Sequence, residues 1–226
     1  WRAPVIPINH MEGHLVASLL NEKWRDHNVK LETLEFPALA LLISGGHTEL
    51  VLAHGWGKYE IIGETRDDAV GEAYDKVGRM LGIPYPAGPE ISRLASEDRV
   101  KREVGDRYKL PRPMIKSGDL DFSLSGLKTA ILYTLRKIPI IDEVVRREIA
   151  REFEDAVVDV LVSKTKSAIE KHHIKSLIIS GGVSANTTIR SAFKKMCELH
   201  EVKLLIPPKE LSTDNALMIA SAGFIK

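Results

Sequence analysis

Two short segments of this chain, Leu41 to Gly46 and Leu177 to Gly182, are almost the same six residues, reading LLISGG and LIISGG. Each is an uninterrupted apolar run ending in a Gly-Gly turn, the pattern of a buried strand that feeds a tight loop. Two such units suggest two halves of similar build facing each other, with a ligand between them meeting backbone N–H groups from both sides. Neither turn is a G-x-x-x-x-G-K or G-x-G-x-x-G phosphate loop. Two readings of the glycines therefore stand side by side: ordinary tight turns, or backbone opened to a ligand's phosphate.

The rest of the chain alternates between the two periods. Residues 48–53 and 59–63 read as strands joined by the Gly55-Trp56-Gly57 turn. Helices are expected at 10–22, where Asn9 is the N-cap, at 67–81, where Gly82 ends the run, and through a short stretch to Leu94. Further helices are expected at 125–136, from Asn186, and from Asp214. A long helix is marked by Ile149, Phe153, Ala156, Val157, Val160, Leu161 and Ala168, mostly three or four apart. Strands are expected at 176–179 and 202–206, and residues 21–36 read as charged surface.

No apolar run approaches the ~20 residues that span a bilayer, so the expectation is a soluble, cytoplasmic protein without membrane contact. Cys197 is the only cysteine, which excludes an internal disulfide. The net charge of +1 gives no global field to attract nucleic acid, so a polyanion would need a local patch. One candidate holds Arg99, Lys101, Arg102, Arg107, Lys109, Arg112 and Lys116 against Glu103 and Asp106; the plainer reading is a solvated loop.

His10 and His14 are one helical turn apart, which puts both imidazoles on one face, a spacing that suits one transition metal. The HMEGH segment is not a zinc-protease helix. Glu12 stands two residues after the first His, so its side chain turns to the opposite face. Asp68, Glu72 and Asp75 share a helix face, read either as a solvated charged face or as carboxylates for ribose hydroxyls or a substrate amine. Ser212 to Asn215 is a helix cap in which Asp214 could add an oxygen ligand to a metal.

Seven segments in order complete the pattern: HMEGH at 10–14, LISGGHTEL at 42–50, DDAVGEAYDKV at 67–77, PYPAGPEI at 84–91, DFSLSGLKT at 121–129, SGGVSAN at 180–186 and STDNA at 212–216. Together they resemble the TsaD family, the tRNA N6-adenosine threonylcarbamoyltransferases once labelled O-sialoglycoprotein endopeptidases, in its bacterial or organellar form. The resemblance implies an α/β, actin-like ATPase (ASKHA) fold with two related domains around a nucleotide cleft. The first would be incomplete, since the family has about a hundred residues before the HMEGH segment, and an N-terminal truncation is expected. Residues 1–98 would be the remainder of that first domain and 99–226 the second. The family's metal ligands would fall on His10, His14 and Asp214, holding one divalent ion, iron or zinc. Its substrate contacts would fall on Leu42, Ile43, Ser44, Gly45, Gly46, Asp75, Gly88 and Asn186. The family's Pro-Gly-Gly-Pro is Pro86-Ala87-Gly88-Pro89 here, which raises the expectation of strain if Ala87 needs a positive φ.

The implied reaction moves a threonylcarbamoyl group from L-threonylcarbamoyladenylate, which is related to ATP and AMP in its nucleotide, to N6 of adenosine 37 in tRNAs reading ANN codons. AMP is released. The implied partners are that nucleotide donor, tRNA, and the TsaB and TsaE proteins. The basic 99–116 stretch is the candidate for tRNA backbone contact. Two rival readings are a metalloprotease and a non-catalytic nucleotide-binding scaffold. No residue stands out as a general base.

Overall fold

The structure, a computed structural model, describes residues 5–20, 31–101 and 107–225. Its centre is one five-stranded sheet in the order β3-β2-β1-β4-β5. The strands are β1 (Ala38–Ile43), β2 (Thr48–Gly55), β3 (Lys58–Glu64), β4 (Ser176–Ser180) and β5 (Lys203–Leu205). β1 pairs antiparallel with β2 and parallel with β4, with Leu41 opposite Ile179 and Leu42 opposite Ser180.

This register corrects the expectation of two facing halves. The two similar strand-glycine units are neighbours in one sheet, and both Gly-Gly turns leave it at the same edge. The reason is burial. A strand that is apolar at every position must be covered on both faces, and β1 and β4 meet that need side by side in the sheet centre. The 98/99 boundary likewise separates no sheet, because strands from either side of it pair.

The pleat sorts the core. Leu39, Leu41 and Ile43 of β1 point with Leu177 and Ile179 to one face; Ala40 and Leu42 point with Ile178 to the other. The first face is covered by α2 (Val70–Met80), α3 (Gly88–Lys101), α4 (Ser125–Leu135), α5 (Glu143–His172) and α6 (Thr187–Leu199). The second carries α1 (His10–Ala17) and α7 (Ala216–Ile225). Three helices begin where their caps dictate: the side chains of Asn9, Asp142 and Asn186 each accept from a backbone N–H of the turn that follows. α5 ends at His173, whose φ of 51° is left-handed. α1 stops earlier than the expected 10–22, and residues 21–30 lie outside the described ones. α3 runs further than expected, to Lys101. Among the described residues no helix is long and apolar enough to cross a membrane.

Candidate metal and nucleotide site

His10 opens α1 and His14 follows one turn on, their rings 4.9 Å apart and nearly perpendicular at 88°. Asp214 stands in the turn before α7, which packs along α1. Its Oδ1 lies 3.3 Å from His10 Nε2 and 3.2 Å from His14 Nε2. The helix carrying the imidazoles is tied to the sheet edge, because Ser180 Oγ at the end of β4 donates to the His14 carbonyl at 2.8 Å. Glu12 faces away from the triad and accepts from the Tyr59 hydroxyl at 2.9 Å, as its place in the helix requires. Burial, with the Glu12 carboxylate beside it, pushes the Tyr59 hydroxyl up to about 12.

The donor set fits a divalent transition metal. Two imidazole nitrogens 3.2 and 3.3 Å from one carboxylate oxygen are spaced as ligands that share an ion at bonds of about 2.0–2.2 Å. His14 is buried, and desolvation together with His10 lowers its pKa despite the opposing pull of Asp214. The ring is therefore neutral at pH 7, the form that binds a metal. Its Nδ1 is buried without a hydrogen-bond partner among the described residues, so packing rather than a second hydrogen bond holds this ring.

Beside the triad lies a cavity of about 510 Å³ at the carboxyl ends of β1 and β4, where ligands of parallel α/β sheets sit. Thr213, the residue before Asp214, lines it. Gly45, Asp75, Gly88 and Asn186 line it too. Leu42 and Ile43 do not: their side chains are 2% and 0% exposed in the two cores. The Ser44 turn offers fewer donors than expected. Ser44 N–H is spent on the His47 carbonyl, and the N–H groups of Gly46 and His47 on Ser44 Oγ. The Gly45 N–H is the donor left in the turn. Close packing demands glycine at 71 and 181, whereas a Cβ on Gly45 or Gly46 would meet nothing within 4 Å. A Cβ on Gly71 would stand 2.8 Å from Gly45 Cα, and one on Gly181, where φ is 91°, 2.4 Å from the Ile43 carbonyl oxygen.

Asp75 keeps one oxygen for the cavity, since its Oδ1 accepts from the Ala87 N–H at 2.8 Å. Asp68 and Glu72 of the same face are ion-paired with Lys76. Ala87 is unstrained: it is not among the residues with positive φ, and its buried methyl fills the space that Gly78 leaves open.

Asn186 is the most constrained of the expected contacts. Its Oδ1 accepts from Ile189 N–H, and its Nδ2 donates to Glu154 Oε1 at 2.7 Å and Ser92 Oγ at 2.8 Å. Both amide hydrogens are spent, so the side chain can only accept from a ligand. The anchor, Glu154, was missed in the sequence. Its carboxylate is fully buried and also receives Arg99 at 2.7 Å, Thr188 at 2.9 Å and the Tyr74 hydroxyl at 3.5 Å. The available signal was an acid four residues from Ala150 and from Val158, on a helix side otherwise apolar.

Four cations of the basic stretch are ion-paired, while Lys109 and Lys116 are exposed. Arg99 pairs with Glu154 and Asp155, Arg112 with Glu152 and Asp159, Arg107 with Glu148 and Lys101 with Glu97. Charge alone reads as a solvated loop and the resemblance adds a tRNA contact; tertiary packing brings acids of α5 to Arg99, Arg107 and Arg112. Arg102, Glu103 and Asp106 lie outside the described residues.

The family model for TsaD, tRNA N6-adenosine threonylcarbamoyltransferase, matches residues 1–221. The chain belongs to the TsaD family. Curated TsaD relatives include the tRNA N6-adenosine threonylcarbamoyltransferases of Streptococcus gordonii, 48% identical over 97% of this chain, and Chromobacterium violaceum, 46% identical over 99%. The chain spans 60% and 62% of their lengths. Among solved structures, full-length HypF in its phosphate- and nucleotide-bound form superposes with a TM-score of 0.66 at 12% identity, covering 98% of this chain and 36% of HypF. The activator of 2-hydroxyisocaproyl-CoA dehydratase from Clostridium difficile, with bound ADPNP, gives 0.52 at 12% identity, over 96% of this chain and 66% of the activator. The TsaD chain thus has an actin-like ATPase (ASKHA) fold.

Proposed function

We propose that this chain carries the metal- and nucleotide-binding part of a tRNA N6-adenosine threonylcarbamoyltransferase. The observation behind this reading is the convergence of His10, His14 and Asp214 on one point beside the Gly45–Asn186 cavity, in a chain 48% identical to enzymes of that name. The nucleotide-bound states of HypF and of the dehydratase activator support a nucleotide in the cavity. The sheet spanning 38–205 is then one lobe of the family's two-domain fold. The other lies in the share of the relatives' length that this chain does not span.

In this reading the donor is L-threonylcarbamoyladenylate and the acceptor is N6 of adenosine 37 in tRNAs reading ANN codons. The new bond joins N6 to the carbamoyl carbon, the carbon–oxygen bond to AMP breaks, and N6 gives up a proton. His10, His14 and Asp214 hold an iron or zinc ion, which when bound supplies Lewis acidity at a substrate oxygen. The free oxygen of Asp75 accepts from ribose hydroxyls, Asn186 Oδ1 accepts from the adenylate, and the Gly45 N–H faces a developing negative oxygen. The protein's main contribution is holding two substrates in attack geometry, since the donor is already activated. TsaB and TsaE are its protein partners, and it works in the cytoplasm.

The protease reading loses its base, because Glu12 is turned from the triad and bound to Tyr59. The scaffold reading has no use for a neutral, buried His14 facing Asp214. Transfer of labelled threonylcarbamoyl to tRNA, with TsaB and TsaE present, tests the proposal. Transfer by the chain and none by His10→Ala is expected. Equal labelling by both would refute the metal's part, and absent transfer by the wild-type chain would refute its activity.

A further inference from the structure

Arg146, on the first turn of α5, has no counter-ion among the described residues. Its Nε is buried with no hydrogen-bond partner, and among the described residues no carboxylate comes within ion-pair distance of it. The arginines that follow it on the helix do have partners: Arg147 lies 3.7 Å from Glu143, and Arg151 bonds Asp98 and Asp155 at 2.8 Å. A partly buried guanidinium without a partner is costly and calls for a ligand.

Arg146 lines a second cavity, of about 500 Å³, with Gly82, Tyr85, Pro86, Glu90 and Glu143 among its walls. The two glutamates do not neutralise it. Glu90 receives both Arg93 Nε and Nη2, at 2.8 and 2.6 Å, and Glu143 lies against Arg147. Arg93 also pairs with Glu97, so the three arginines and three glutamates balance in number, and Arg146 is the arginine of the three that no carboxylate reaches among the described residues. The cavity wall at Tyr85 and Pro86 is shared with the Gly45–Asn186 cavity. Tyr85 is 83% exposed, an aromatic ring standing between the two.

We propose that this second cavity is an RNA subsite: it holds a nucleotide flanking the acceptor adenosine, with its phosphate on Arg146 and its base stacked on Tyr85. An aromatic face beside one unpaired guanidinium is the recurring recognition pair for single-stranded RNA. The shared wall lets one strand run from the reaction cavity into this one. The assignment rests on the reading of an RNA acceptor, and it supplies a backbone contact separate from the 99–116 stretch.

The test is fluorescence anisotropy of a labelled anticodon stem-loop RNA, titrated with the chain over a range of salt. Arg146→Gln should weaken binding about fivefold or more at low salt and flatten the slope of log K against log salt by about one phosphate's worth. Tyr85→Ala should weaken it about tenfold, while Tyr85→Phe keeps the ring and the affinity. Arg146→Gln should not lower the melting temperature, because the guanidinium has no ion-pair partner among the described residues to lose; a lower one would mark a structural role and overturn the proposal. RNA bound equally by the wild type and both weakening variants would overturn the subsite while sparing the RNA acceptor. A wild-type chain that binds no RNA would overturn the acceptor reading and this one with it. Equal losses for free AMP or inorganic phosphate in Arg146→Gln would make the cavity a free-anion site and refute the RNA assignment.

Discussion

Glu154→Ala removes a carboxylate on which Asn186, Thr188, Tyr74 and Arg99 converge behind the Gly45–Asn186 cavity. The carboxylate side chain is 0% exposed and that of Arg99 30%, so the pair is largely desolvated. Breaking a buried pair from one side costs about 3–5 kcal/mol, because the remaining charge keeps its desolvation penalty. Arg99 retains Asp155, which pulls the estimate to the lower end. The unsatisfied donors of Asn186 and Thr188 add about 1 kcal/mol each and are not independent of the first loss. A total near 4 kcal/mol is therefore expected, a large share of the stability of an ordinary domain. Urea unfolding followed by circular dichroism measures it as a drop in midpoint at unchanged slope. A double-mutant cycle with Asn186→Ala should show a coupling above about 0.5 kcal/mol. A loss under about 1 kcal/mol would mean that the carboxylate is hydrated, and the argument that it orients Asn186 would fail.

Three further outcomes are expected. His14→Ala and Asp214→Ala should each abolish retention of zinc or iron after desalting, read by elemental mass spectrometry, together with the melting-temperature rise that the ion gives the wild type; metal held equally by the variants would remove the triad as its site. Gly181→Ala should destabilise by about 1–3 kcal/mol, because its methyl meets the Ile43 carbonyl and its φ of 91° disfavours an L side chain; an unchanged urea midpoint would contradict this. Partial burial works to raise the Asp67 carboxyl, but hydrogen bonds from Ser123, Ser125 and the N–H groups of Leu124 and Ser125 outweigh it and hold it at about 2, below the usual 3.8. A depressed carboxylate stabilises above its unfolded value, so this contribution is full above about pH 4 and lost as pH falls through about 2. Urea midpoints should thus fall more steeply over that window in the wild type than in Asp67→Asn, and parallel curves would refute it.

Much of this protein is legible from contiguous residues, because helical periodicity, capping and strand burial are local properties. The turn-spaced imidazoles of His10 and His14, the reversed side chain of Glu12, the caps at Asn9 and Asn186 and the strands at Leu41 and Leu177 needed no tertiary information. What joins residues far apart in the chain was decided only by packing. The repeated strand-glycine units suggested two opposed halves, yet pairing Leu41 with Ile179 satisfies backbone and apolar surface together, so both turns share one edge. Charge counting along 99–116 saw cations but not the acids of α5 that fold onto them, because an ion pair is a distance in space and not along the chain. Glu154 looked like one acid among many, and only burial against Asn186 and Arg99 made it an anchor. Arg146 is the converse, a basic residue whose lack of an ion-pair partner among the described residues could be known only once its neighbours had taken theirs.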